Sequence, residues 1–388
     1  MDLRKNIKNI DDLKKAIHFI KNGTLFYQPF TFDDNLVVGE GRNFVKKYDG
    51  AVSLHDKNLY HNLCSDRWGI NKNDLPDLSK VMFNGNEIDR ITITEDEKDF
   101  FIKINNEYDG LYDFFIDKIL EDLQESPESL TFAEIGCNTG VTLLKLAEMN
   151  AKKVYGYDWS DYNELFDWFN KILDTNTNVN FQRGYWDNLR HNFCIYDEDK
   201  SNDKDFLKKN SHLIRKNRDK FELAMAMREN IITYDIPEVD VMINTIYTNH
   251  QYDPMQFIAQ CCDKAKKAVF FWMLIHPSSG DKHVIKYPDA SPHENFFHQH
   301  DLPFPLNYRN DVRMSVPLIR SVLQACGFSD FKCLQHPNIS PEFESWGVGE
   351  NGDWKMFYAK RTDDIKSGFS ITNLEFSTQK ENFLKNEK

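Results

Sequence analysis

Residues 134–140 read Glu-Ile-Gly-Cys-Asn-Thr-Gly, and Asp158 closes the next apolar run, "KKVYGYD". Two glycines, Gly136 and Gly140, bracket a turn of the kind that brings backbone amides against a nucleotide. A dinucleotide fingerprint needs glycine at the third position of that turn, so that the main chain can approach the pyrophosphate. Asn138 stands there instead. A triphosphate loop ends in Gly-Lys-Ser/Thr, and Gly140-Val141-Thr142 has no lysine. Glu134 would set negative charge beside any phosphate, whereas an acid at this place suits a ligand with an ammonium or sulfonium group. The plainer alternative makes Gly136 a tight-turn glycine and Asp158 a helix cap.

Histidines supply the second set of reactive groups. His250 closes "IYTNHQYDP" after a strand-like run, and His276 ends another in "LIHP". Both fall at the carboxyl ends of their strands, the edge where ligands bind in open α/β sheets. Histidine titrates near neutrality and is suited to take a proton from an acceptor hydroxyl; a loop histidine satisfied by backbone is the alternative for each. The segment "SPHENFFHQHD" carries His293, His298 and His300 with Glu294 and Asp301. Its histidine spacing departs from H-E-x-x-H, so no metal site is predicted, and His293 and His298 are candidate substrate contacts on a polar lid or surface loop. Tyr308 and Arg309, with Arg313, are candidates to bind a polar or acidic acceptor; a salt-bridged surface is the alternative.

These residues need a framework that carries them. From about 130 to 361, strand-like and helix-like runs alternate, which implies a mainly parallel sheet with helices on both faces. The predicted strands are "TFAEIG", "KKVYGYD", "VNFQRG", "VDVMINTIY", "KAVFFWMLI", "DFKCLQ" and "WKMFYAK"; helices are predicted near 140–149, 161–173, 254–266 and 315–325. Ser315, Pro317 and Gly327 read as the start and stop of the last helix. Two stretches interrupt the alternation: 188–222, charged and expected to be a solvated excursion, and 276–314, rich in Pro, His and aromatics and placed like a lid. Residues 1–127 are predicted to form an accessory or substrate-capping region with helices at "IDDLKKAIHFIKNG" and "DGLYDFFIDKILEDL" (109–123), residues 128–362 the main domain, and 363–388 a polar tail.

The chain of 388 residues is 40% hydrophobic, with 30 Phe, which is ample for a substantial core. Its formal charge of −13 argues against a nucleic-acid backbone as main partner, because phosphate binding needs a basic surface. Seven cysteines without C-x-x-C spacing point to a reducing compartment. The N-terminal "MDLRKNIKNIDDLKK" lacks an apolar signal core. The longest apolar run, "AVFFWMLI", is far below the roughly 20 residues that span a bilayer. A soluble, cytoplasmic protein with no membrane partner is expected.

The motif E-I-G-C-N-T-G resembles the E-x-G-x-x-x-G motif of class I S-adenosylmethionine-dependent methyltransferases, and the resemblance extends over about 230 residues, from Leu130 to Arg361. It implies a seven-stranded, mostly parallel Rossmann-like sheet whose last strand, "WKMFYAK", inserts antiparallel. It implies S-adenosyl-L-methionine as cofactor, held by Glu134, Gly136, Cys137, Asn138 and Gly140, with Asp158 on the ribose. By the same resemblance Trp159 lies against the adenine, with core packing as its alternative. Asp187 approaches the adenine amino group or is a surface-turn acid, and Asn244 and Thr245 line the methionine end. The first 127 residues match no named family. A second likeness, in "TIYTNHQYDP" and "RNDVRMSVPLIRSVLQACGF", is to fold relatives that alkylate a transfer-RNA wobble uridine, a family that relies on a basic surface. The expected activity is methyl transfer to a small or medium-sized metabolite, with oxygen slightly preferred. The rivals are an RNA-modifying enzyme of the same fold, a non-catalytic cofactor-binding scaffold and, last, a nicotinamide dehydrogenase.

Overall fold

The computed structural model describes residues 1–22, 24–25, 28–33, 36–39, 52–54, 80–83, 86–89, 95–158, 160–187, 192–196, 231–233, 236–251, 253–277, 282–286, 312–336 and 354–363. The chain begins with α1 (Ile10–Lys21). Asn9 caps it, its side-chain oxygen accepting from the amides of Asp11 and Asp12, both at 2.9 Å. Leu13, Ala16, Ile17 and Ile20 form the buried face at helical spacing. Short antiparallel strands follow: β1 (Phe30–Asp33), β2 (Leu36–Gly39) and β3 (Val52–Leu54) in one sheet, β4 (Lys80–Phe83) and β5 (Asn86–Asp89) in another. The predicted helix at 109–123 is the end of a longer one, α2 (Glu95–Leu123). Gly110 sits inside it, and a Cβ there would meet no heavy atom within 4 Å. A 3-10 turn, Pro127–Ser129, follows.

The alternating part then runs β6 (Thr131–Ile135), α3 (Val141–Glu148), β7 (Lys153–Asp158), α4 (Asn163–Ile172), β8 (Val179–Asp187), β9 (Asn192–Tyr196), β10 (Ile231–Thr233), β11 (Val239–Thr245), α5 (Pro254–Lys264) and β12 (Ala265–Leu274). It ends with β13 (Ile285–Lys286), β14 (Arg313–Met314), α6 (Val316–Ala325), β15 (Asp330–Leu334) and β16 (Trp354–Lys360). One nine-stranded sheet has the order β10-β9-β8-β7-β6-β11-β12-β16-β15. β6 with β7, β7 with β8, and β11 with β12 are parallel. Central strands are apolar on both faces, as a sheet covered by helices requires; Val241, Met242, Ile243 and residues 268–273 of β12 are all buried.

All seven predicted strands are present. Two more strands join the sheet: β9, from the stretch 188–222 expected to be a solvated excursion, pairs antiparallel with the end of β8, and β10, which follows that stretch, pairs antiparallel with β9. The run Asn192-Phe-Cys-Ile-Tyr196 is strand-prone but short and flanked by charge. Residues 197–230 lie outside the described residues. Ser315 also departs from its expected role. It precedes α6 without a side-chain cap bond; instead its hydroxyl donates to Lys282 O at 2.8 Å and accepts from Val284 N at 3.0 Å, tying down the segment that enters β13.

The chain forms two compact units, one centred on Met1–Arg183 and the other on Gly184–Asp289 with most of the later elements. Within the first, the N-terminal segment is part of the α/β layer. Phe19 packs on Trp168 of α4 with ring centroids 5.4 Å apart, and Phe30 stacks on Phe169 at 5.4 Å. Asn6 donates to Ile172 O at 3.3 Å. In the second, α5 and α6 pack together and Arg361 donates to Ala265 O at 2.8 Å and Cys262 O at 2.6 Å. No described helix is long and apolar enough to cross a membrane.

Candidate functional site

The turn after β6 is built from three residues in left-handed backbone conformation: Gly136 (φ 76°), Asn138 (φ 50°) and Gly140 (φ 84°). Glycine takes this conformation without penalty and asparagine tolerates it. The turn is pinned to the end of β7, where Tyr157 O accepts from Gly136 N at 2.7 Å and Cys137 N at 3.1 Å. Asp158, 5% exposed, then closes it from the side. One carboxylate oxygen accepts from Asn138 N and the other from Ser160 N, both at 2.9 Å. Asn138 Oδ1 in turn accepts from Thr139 N at 2.7 Å and from the Tyr162 hydroxyl at 3.2 Å. Gly140 is required sterically as well, since a Cβ there would stand 2.5 Å from Cζ of Phe166.

The amino end of α3 faces this turn. Its first amides have no intrahelical partner, and Gly140 has no side chain to cap them. Gln28, buried and 113 residues away in sequence, does so: its oxygen accepts from Val141 N at 3.1 Å and from the Thr139 hydroxyl at 2.9 Å. Its nitrogen donates to the Tyr112 hydroxyl at 3.3 Å, and Tyr112 donates to Tyr108 Oη at 3.2 Å.

The environment is electronegative. Glu134 is fully buried in β6 beside the turn. Burial pushes the Cys137 thiol well above its usual value, and the charges of Asp158 and Glu134 push it further. Burial raises Tyr162 in the same way, again reinforced by Asp158. Cys137 is therefore a protonated packing residue and no nucleophile. Fixed negative charge with an amide-lined turn suits a cationic ligand bearing hydroxyl groups; it opposes a phosphate.

Glu134, Gly136, Cys137, Asn138, Gly140 and Asp158 thus lie at or beside one turn. Asp187 ends β8. Asn244 and Thr245 end β11 in the second unit, where Asn244 Oδ1 accepts from Thr248 N at 3.0 Å and from the Thr248 hydroxyl. His250 closes the 3-10 turn Tyr247–His250. His276 follows β12, its amide donating to Met314 O at 3.0 Å; its Nδ1 is buried and has no partner among the described residues. Asn249, which the sequence did not single out, ties this region together: its amide nitrogen donates to Leu274 O and Val312 O, and its oxygen accepts from Leu274 N, all at 2.9 Å. Trp159, His293, His298, Tyr308 and Arg309 lie outside the described residues. No cluster of three or more metal-ligating side chains occurs among the described residues. Gln28, Tyr112 and Tyr162 were missed because nothing local in "FYQPF" or "DYNELF" marks them; only long-range packing does.

No family model and no curated protein matches the chain. Solved structures do. A magnesium protoporphyrin IX methyltransferase from Synechocystis PCC 6803 with bound S-adenosylhomocysteine overlaps 70% of this chain and 90% of its own, at 15% identity and TM-score 0.38. An O-methyltransferase family protein from Burkholderia thailandensis overlaps 68% and 59%, at 10% identity and TM-score 0.35. An S-adenosylmethionine-dependent methyltransferase from Mesorhizobium loti overlaps 63% and 96%, at 11% identity and TM-score 0.33. The strand order, the turn after β6 and the acid ending β7 carry the fold assignment. By them, the chain has a mostly parallel, Rossmann-like sheet, extended at one edge by β9 and β10.

Proposed function

We propose that the chain is an S-adenosyl-L-methionine-dependent methyltransferase acting on a small or medium-sized metabolite, with oxygen the preferred acceptor atom. The observation that carries the reading is Gln28 seated on Val141 N and the Thr139 hydroxyl. In a dinucleotide fold the helix amides at that place take the pyrophosphate. Here a neutral side chain of the same molecule occupies them, and two buried acids stand beside the turn.

The residues fit a sulfonium nucleoside. The oxygens of Asp158 accept from the amides of Asn138 and Ser160; a carboxylate has about four acceptor sites, and the same acid is assigned to the ribose hydroxyls. The Glu134 carboxylate supplies charge complementary to a sulfonium. Bound S-adenosylmethionine would supply a methyl group on a good leaving group. The chain's own task is then alignment and exclusion of water, and the rigid, doubly anchored turn serves alignment. An oxygen acceptor also needs a base. The two candidates for it are His250, which closes the 3-10 turn after β11, and His276, which follows β12. The roles of Trp159, Asp187, Asn244, Thr245 and His250, and of His293, His298, Tyr308 and Arg309 toward the acceptor, rest on sequence alone.

The test is calorimetry of S-adenosylhomocysteine against reduced nicotinamide dinucleotide, on the wild type and Asp158→Ala. S-adenosylhomocysteine should bind and the dinucleotide should not, and Asp158→Ala should weaken binding tenfold or more. A labelled-methyl assay on metabolite and RNA fractions then separates acceptor classes. Dinucleotide binding alone would overturn the cofactor; label in RNA only would overturn the metabolite; cofactor binding with no turnover in any fraction would favour the scaffold.

A further inference from the structure

We propose that Gln28 is a positioning residue for the cofactor turn: the N-terminal segment uses one buried amide to hold Thr139 and Val141 and so fixes the backbone on which the cofactor rests. The proposal rests on the methyltransferase reading for its ligand, and on the geometry alone for its structural half.

The orientation of the amide is determined by its neighbours. Val141 N–H can only donate, so the oxygen of Gln28 faces it, and the nitrogen must face Tyr112. Three side-chain bonds result, at 3.1 Å to Val141 N, 2.9 Å to the Thr139 hydroxyl and 3.3 Å to the Tyr112 hydroxyl. Gln28 is 3% exposed and Thr139 fully buried, so water does not replace these bonds if they are lost. Thr139 is the pivot. Its amide donates to Asn138 Oδ1, and Asn138 N donates to Asp158. A continuous path of hydrogen bonds thus runs from Tyr108 through Tyr112, Gln28, Thr139 and Asn138 to the acid assigned to the ribose. Gly140 and Asn138 flank Thr139 in left-handed conformation; for Asn138, which is not glycine, that backbone is held by the contacts around it. Gln28 provides such contacts on both sides of Gly140.

A simple helix cap would also satisfy Val141 N, and would contribute stability and nothing else. The two roles separate experimentally. Asn9→Ala removes a helix cap in the same N-terminal segment but touches no residue of the turn, so it serves as the reference for a purely structural loss. The full chain carrying Gln28→Met, which keeps length without the polar groups, is compared with it by amide hydrogen exchange in the absence of ligand and by S-adenosylhomocysteine titration. Gln28→Met should speed exchange at 138–142 at least tenfold and weaken S-adenosylhomocysteine at least tenfold, while Asn9→Ala does neither. Exchange at 138–142 no faster in Gln28→Met than in Asn9→Ala overturns the proposal. So does faster exchange with an unchanged dissociation constant. A wild type that binds no S-adenosylhomocysteine sinks the methyltransferase reading instead, and the exchange comparison still decides whether Gln28 holds the turn. Should Gln28→Met fail to fold, Tyr112→Phe removes only the hydroxyl that fixes the amide's nitrogen, and must shift both readouts in the same direction by a smaller factor.

Discussion

Asp158 and Gly140 show how much one atom decides at this turn. Asp158 accepts from Asn138 N and Ser160 N, so the acid proposed for the ribose also shapes the turn. Gly140 has both a left-handed φ of 84° and the ring of Phe166 where a Cβ would go. Gly140→Ala should therefore lose roughly 2–5 kcal/mol in urea unfolding, the combined cost of the backbone conformation and of overpacking. Phe166→Leu in the same background should recover part of it. The thiols make a second residue-scale case. Cys137, Cys261 and Cys262 are buried, and burial raises each thiol above its ordinary range. Of Cys137, Cys261, Cys262, Cys326 and Cys333, only Cys333 is exposed, so mass spectrometry after brief iodoacetamide treatment of the native protein should find it alkylated and the other four intact.

Among the elements, β11 and β12 depend on the short segment that follows them. Asn249 makes three bonds to main-chain groups of Leu274 and Val312, and it is 1% exposed. Removing it leaves buried main-chain groups without partners, each costing about 1–3 kcal/mol. Asn249→Ala should thus lower stability by roughly 3 kcal/mol or more and speed amide exchange at Leu274. Ile246 immediately before it has φ 69°, an outlier for a β-branched residue, held by Ile246 N donating to Trp272 O at 2.7 Å. The start of the chain behaves as an element of the same layer. Phe30 is 1% exposed and stacks between Phe32 and Phe169, so Phe30→Ala should cost about 3–5 kcal/mol, read as a drop in the urea midpoint with an unchanged slope.

For the molecule as a whole, charge argues about partners and burial about construction. With a formal charge of −13, binding to polyanions should be weak, and turnover of a metabolite acceptor should change little between about 50 and 200 mM salt, a range over which a nucleic-acid complex with 6–10 phosphate contacts loses about 10³–10⁵ in affinity. A steep salt dependence of turnover would point to RNA. Construction is less modular than the sequence order suggests. The compact unit that carries the turn runs over Met1–Arg183, and Asn6, Phe19, Gln28 and Phe30 all bond or pack within it.

The sequence by itself determined the alternation of strands and helices, the turn after β6 and its acid, because these are written in local periodicity and in residues whose backbone preferences act over a few positions. It also weakened the phosphate-binding readings of that turn, since Asn138 and the missing lysine are local facts. Only the tertiary structure decided that Gln28 caps α3, that Asn249 binds β12, that Ser315 holds the segment entering β13, and that β9 and β10 extend the sheet. The bonds of Gln28, Asn249 and Ser315 join groups far apart in the chain, and a hydrogen bond between distant residues leaves no period, spacing or composition for the sequence to display.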